Sequence, residues 1–215
     1  MARNKAVFDA DILINLAKTN SFDYLVSNFD KIYVADYVWN TEIKSGIEEK
    51  KFLEKKLNQG LIVILEFNNM TQIQKKIYIE AYKILNQLGL SDYVNEGEKI
   101  TASFAKAFSV SYYMSDDNKA STYIKEYANI DIINFCDLLF IAYCIQEDEL
   151  ENIVNYYFAY LSTFNQGFLP KSIRGKNGRA IDFAEVMGKC SDKFNRNVQL
   201  SLLLKLLVDK DSSSS

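Results

Sequence analysis

The sequence predicts an α/β protein, a parallel sheet covered by helices on both sides, followed by a helical C-terminal extension. Three observations carry that expectation. Short apolar runs alternate with amphipathic stretches from residue 5 to residue 133, the pattern of repeated strand–helix units. Hydrophobic residues make up 48% of the 215, with one proline and eight glycines, which suits a packed core and argues against a linker-rich chain. The run Leu61-Ile62-Val63-Ile64-Leu65 is apolar without a break, as expected of a strand buried on both faces of a parallel sheet. The length suggests a domain at 1–134, a helical extension packed on it at 135–209, and a disordered tail at 210–215.

Val7-Phe8 ends the first expected strand, and Ile12, Leu13 and Leu16 then recur at helical spacing. Residues 31–35 form a second strand, continued by a helix with Val38, Trp39 and Ile43 inward and Glu42 upon it. Residues 48–58 are charged and helical, with Gly60 as the stop. The third strand is 61–65. From Thr71 to Leu88, Ile73, Ile77, Ala81, Ile84 and Leu88 repeat every three or four positions, which predicts an amphipathic helix ending at Gly89. Asn95 and Glu98 have the spacing of a capping box, with Ile100, Ala102, Phe104, Ala105 and Phe108 behind them. Residues 110–114 and 130–133 are the fourth and fifth strands. Beyond them, 135–164 and 198–208 read as helices packed on the core.

The net charge of −3 provides no global attraction to polyanions, so a nucleic acid would have to be met by local basic patches. Cys136, Cys144 and Cys190 are odd in number and lack a CxxC pair, and a zinc site needs more sulfur or nitrogen ligands than this chain supplies, so reduced core thiols are expected. The apolar run after the basic start is cut at Asp9, too short for a signal peptide, and no stretch approaches a membrane span. The expectation is a cytoplasmic protein without a membrane partner. There is no histidine, so acid–base and metal chemistry must rest on carboxylates.

Asp9 and Asp117 each stand just past the carboxyl end of an expected strand, where parallel sheets place their sites. Glu42 and Glu98 can close the same cleft. Each has a plain structural role available: Asp9 as a helix cap, Glu42 as a solvated helix residue, Glu98 as a capping-box acid, Asp116 and Asp117 as first-turn acids. Together they would repel one another unless divalent cations sat among them, and oxygen-only ligands favour Mg²⁺ or Mn²⁺. Such ions activate water and stabilise in-line displacement at phosphorus, which points to phosphodiester hydrolysis.

These residues resemble the PIN-domain nucleases. The resemblance rests on Phe8-Asp9-Ala10-Asp11, Val38-Trp39-Asn40-Thr41-Glu42, Gly97-Glu98 with Ala102 and Ala105 behind it, and Ser115-Asp116-Asp117. It covers roughly residues 5–135, with weaker similarity to about 180. It implies a three-layer α/β/α domain and a Mg²⁺- or Mn²⁺-dependent endoribonuclease acting on single-stranded RNA. Asp9, Glu42, Glu98 and Asp117 would bind the metal, with Asp116 and Asp11 as outer or alternate ligands. The toxin of a toxin–antitoxin pair, a processing enzyme and a defence nuclease all fall within the resemblance; so do an antitoxin partner and a homodimer. Asp11 departs from the family's usual Asn, Ser or Thr, the helix at 71–88 is an addition, and the chain runs some 70 residues past a compact toxin.

Two other classes compete. Phe8-Asp9-Ala10-Asp11 is similar to the DxD motif of haloacid-dehalogenase-type phosphatases, with Asp9 as nucleophile, although Ile12-Leu13 stands where Gly-Thr belongs. A degenerate PIN-like binding module, using its aromatic C-terminal helices, is the other. Lys171, Arg174, Lys176 and Arg179, in a glycine-bearing loop, are candidate phosphate contacts or else a mobile surface turn. Lys50, Lys51, Lys55 and Lys56 read as a solvated helix face or else an RNA contact, and Trp39, Tyr156, Tyr157 and Tyr160 as core in preference to base-stacking platforms.

Overall fold

In the computed structural model, which describes residues 5–44, 48–87, 94–146, 149–164 and 169–212, five parallel strands form the centre of a three-layer α/β/α architecture. The strands are β1 (Lys5–Phe8), β2 (Lys31–Ala35), β3 (Ile62–Leu65), β4 (Tyr112–Met114) and β5 (Asp131–Ile133), in the order β3-β2-β1-β4-β5. β1 is central, and Ala6, Val7 and Phe8 are wholly buried, which is why the strand is apolar after Lys5 at its entry. β3 lies at an edge. The expectation of burial on both faces fails there, with Val63 and Ile64 only half-buried and Leu61 just before the strand exposed.

Connections from β1 run outward through β2 to β3, whereas β4 and β5 lie on the other side of β1. The order therefore reverses between β1 and β4, and a crevice opens where the two chains diverge at their carboxyl ends. Phe8 pairs with Met114 in the register, so the next residues, Asp9 and Ser115, stand side by side at that point.

Helices α1 (Ala10–Lys18), α2 (Phe22–Leu25) and α3 (Glu48–Asn58) follow the first two strands, and Gly60 takes a φ of +73° in the turn that ends α3. α4 (Gln72–Gln87) packs on α5 (Glu96–Ala107), which lies against β1, β2 and β4. α4 is a helix, as its periodicity predicts, but its buried residues include Ala81 and Leu85 while Ile73 and Ile84 are exposed. Its expected stop at Gly89, and Leu88 before it, lie outside the described residues.

After α6 (Asn118–Tyr123) and β5 come α7 (Phe135–Ile145), α8 (Leu150–Ser162), α9 (Phe183–Arg196) and α10 (Val198–Ser212). One apolar cluster runs from Ala6 to Leu207, so the segment after residue 134 shares its core with the sheet. The helical backbone continues through the first part of the expected tail, to Ser212; residues 213–215 lie outside the described ones. Cys136 and Cys190 are buried free thiols and Cys144 is a half-buried one. Among the described residues no helix is long and apolar enough to cross a membrane.

Candidate active site at the carboxyl edge of the sheet

Asp9 caps α1 with one carboxylate oxygen, Oδ1, which accepts the Ala10 N–H at 2.9 Å. Its other oxygen, Oδ2, accepts the Ser115 hydroxyl at 3.3 Å, a contact that the register of β1 and β4 brings within reach. The Tyr113 phenol approaches the same carboxyl without closing a hydrogen bond of normal geometry. Burial, reinforced by the charges of Asp11 and Glu42, raises the Asp9 pKa to about 7.

Glu98 divides in the same way. Its Oε2 accepts the Asn95 N–H at 2.7 Å while the Asn95 side chain accepts the Glu98 N–H at 2.9 Å, a complete capping box that opens α5. Its Oε1 is buried and has no hydrogen-bond partner. The capping role and the functional role thus fall on two oxygens of one carboxylate. Burial, with Asp9, Asp117 and Glu42 adding to it and the Asn95 bond opposing, pushes its pKa up to about 8.

Glu42 does not sit on a regular helix. Residues Val38–Glu42 form a single π-helical turn closed by the Ile43 N–H on the Val38 carbonyl at 3.1 Å. The Trp39 carbonyl within this turn is taken by the ammonium of Lys50, at 2.6 Å, and that ammonium also lies 3.5 Å from the centre of the Trp39 ring. Lys50 is therefore buried structure and not part of a solvated lysine face. Trp39, Tyr157 and Tyr160 are core residues as expected, with Tyr156 packed against the core. Desolvation first, then Asp11, raises the Glu42 pKa.

Asp117 opens α6, its Oδ1 accepting the Ala120 N–H at 3.2 Å, and Asp11 is exposed on the first turn of α1. The pKa of Asp11 is raised by desolvation and by Asp117, with Lys18 partly offsetting them. Asp9, Asp11, Glu42, Glu98 and Asp117 thus feel one another's charge at one edge of the sheet.

Asp116, expected as a metal ligand beside Asp117, has both oxygens engaged elsewhere. Oδ1 accepts the Phe135 N–H at 3.0 Å; Oδ2 accepts the Tyr160 hydroxyl at 2.7 Å and the Asn15 amide at 3.3 Å. It ties the loop after β4 to α1, α7 and α8. Desolvation raises its pKa to about 6 despite these donors. Tyr160 and Asn15 were missed from the sequence because nothing local marks a partner 44 or 101 residues away.

The four basic loop residues are not gathered in one place. Arg174 borders a cleft of about 760 Å³ whose wall also includes Asp11, Asp117 and Lys18. Lys171 borders a separate cavity of about 470 Å³, shared with Ser115, Lys125 and Lys193. Lys176 and Arg179 are exposed and line neither. The loop is a closed hairpin, with Gly175 N–H on the Arg179 carbonyl at 2.8 Å, Gly178 at φ +77° and Ile173 and Ile181 buried beneath.

Among the described residues no three aspartate, glutamate or cysteine side chains are grouped closely enough to hold a metal ion between them. The donor set nevertheless suits a hard divalent cation, since all of it is oxygen and Glu98 Oε1 is buried without a partner. No protein-family model, curated protein or solved structure matches this chain.

Proposed function

We propose that the protein is a PIN-type endoribonuclease that hydrolyses phosphodiester bonds of single-stranded RNA with Mg²⁺ or Mn²⁺. The observation that carries the reading is Glu98 Oε1, a buried and unpartnered oxygen of a carboxylate that feels the charges of Asp9, Asp117 and Glu42. Desolvated carboxylates crowded together are costly unless they are protonated or share a cation. Asp9, Glu42, Glu98 and Asp117 would hold that cation. When bound, it supplies the Lewis acidity that phosphodiester hydrolysis needs.

The protein's own groups do the rest. Ser115, donating to Asp9 Oδ2, and Asn95, donating to Glu98 Oε2, fix the orientation of two acids and leave Glu98 Oε1 without a protein donor. Asp11, exposed at the rim and coupled to Asp117, would orient the attacking water and accept its proton. Arg174 and Lys18, on the adjoining cleft, would bind substrate phosphate against the acidic edge.

The test is cleavage of a labelled single-stranded RNA. Wild-type protein should cut it with Mg²⁺ or Mn²⁺ and lose activity in EDTA, and Asp9→Asn should be inactive but folded. Full activity in Asp9→Asn, or cleavage that survives EDTA, overturns the assignment.

A further inference from the structure

The cleft beside the carboxylates has a second character that metal binding does not use. Besides Asp11 and Asp117 its wall has an apolar part, made by Ile14 of α1 together with Phe164, Leu169 and Pro170. Phe164 is half-buried just beyond α8 and meets Tyr160 edge-on, with ring centres 4.9 Å apart and planes at 89°. Tyr160 in turn stacks on Phe135 at 4.1 Å and donates its hydroxyl to Asp116 at 2.7 Å. Two contacts, Phe164 to Tyr160 and Tyr160 to Asp116, therefore fix an aromatic ring relative to the loop that carries Asp117.

An apolar wall has no use for a phosphate group alone. A cleft of about 760 Å³ has room for a nucleotide, and this one offers the aromatic ring of Phe164, cations at Lys18 and Arg174, and hydrogen-bonding groups at Asn15 and Thr163. The geometry points to a nucleobase subsite: an unpaired base flanking the scissile phosphate stacks on Phe164 while Arg174 holds the phosphate beside it. A base inside a duplex is already stacked and cannot enter, so the subsite imposes a requirement for single-stranded substrate. The inference rests on the nuclease reading for the position of the cut, but its binding arm does not.

The experiment couples Phe164 to one base. With wild-type protein the scissile bond is mapped, and substrates carrying a single abasic site at each flanking nucleotide are prepared. Phe164→Ala is expected to lower kcat/KM on the intact strand roughly tenfold. At one flanking position the abasic substrate should suffer the same loss, and Phe164→Ala should cost nothing more on it. Phe164→Leu, which keeps apolar volume, should behave like Phe164→Ala, and Phe164→Trp should restore activity.

Binding is titrated by fluorescence anisotropy with Asp9→Asn and Asp9→Asn/Phe164→Ala proteins in EDTA, on a short single strand and on strands carrying one abasic site at each position in turn, where neither cleavage nor a mapped scissile bond is needed. Coupling there sustains the subsite even if Asp9→Asn still cuts RNA, a result that would instead remove the metal site. Equal losses on intact and abasic strands, no loss at all, or no binding of single-stranded RNA by wild type overturns the inference.

Discussion

Gly97 stands where a side chain would collide with Glu42: a Cβ built on it comes 2.0 Å from Glu42 Oε1. The glycine that opens α5 thus makes room for an acid brought in from the turn after β2. Because the colliding atom is the far end of a flexible side chain, Gly97→Ala should fold and displace Glu42. Expected is a melting temperature within a few degrees of wild type and Mn²⁺-dependent cleavage reduced to the level of Glu42→Gln. Wild-type cleavage by Gly97→Ala would show that Glu42 has no part in the chemistry.

Asp9 at about 7 and Glu98 at about 8 retain protons that the unfolded chain, with carboxyl values near 4, has already released. The native state therefore binds more protons than the unfolded state between about pH 4 and pH 8. In that window the stability of metal-free protein should fall as pH rises. A divalent ion binds the charged carboxylates, so saturating Mn²⁺ should raise the melting temperature more at pH 8 than at pH 6, and Asp9→Asn should flatten both trends. Melting curves in EDTA and in Mn²⁺ across this range decide it; stability that rises with pH in EDTA contradicts the burial of these acids.

Local pattern and three-dimensional context contributed differently to this site. Asp9 at a strand end and Glu98 in an Asn-x-x-Glu box are local signals, and the helix caps they predict are present. That caps and candidate ligands are the same groups was beyond a local reading, because it depends on which oxygen faces the neighbouring strand. Glu42 was legible as a position but not as a conformation: its π-helical turn needs the ammonium of Lys50, eleven residues from Trp39, to satisfy a carbonyl. In α4 the 3.6-residue period foretold a helix but not its buried face, since Ile73 and Ile84 share the period and remain exposed. Edge placement of β3 likewise follows from strand order, which an apolar run cannot express.

Asp116 and Asp117 should separate stability from activity. Asp116→Ala leaves the Phe135 N–H and the Tyr160 hydroxyl without their acceptor, so a loss of about 2–4 kcal/mol is expected. Asp117→Asn keeps an acceptor for the Ala120 N–H and removes only charge, so the fold should hold while Mn²⁺-dependent cleavage falls at least a hundredfold. Urea denaturation alongside cleavage assays tests both. The opposite pattern, with Asp116→Ala stable but inactive and Asp117→Asn active, would make Asp116 the ligand.

Lys50 holds the turn that carries Glu42 through one buried contact, from its ammonium to the Trp39 carbonyl. Desolvation lowers its pKa, so the bond to Trp39 and the contact with the ring must offset the cost of burying the charge. Lys50→Met retains the apolar stem and leaves the carbonyl unpaired, for an expected loss of about 1–3 kcal/mol. The turn should then relax and move Glu42 from beside Gly97, so the Mn²⁺ concentration for half-maximal cleavage should rise while cleavage at saturating Mn²⁺ changes little. Lys50→Arg should recover most of the metal affinity by restoring a donor. If Lys50→Met lowers stability but leaves the Mn²⁺ dependence untouched, the turn holds Glu42 without help from Lys50.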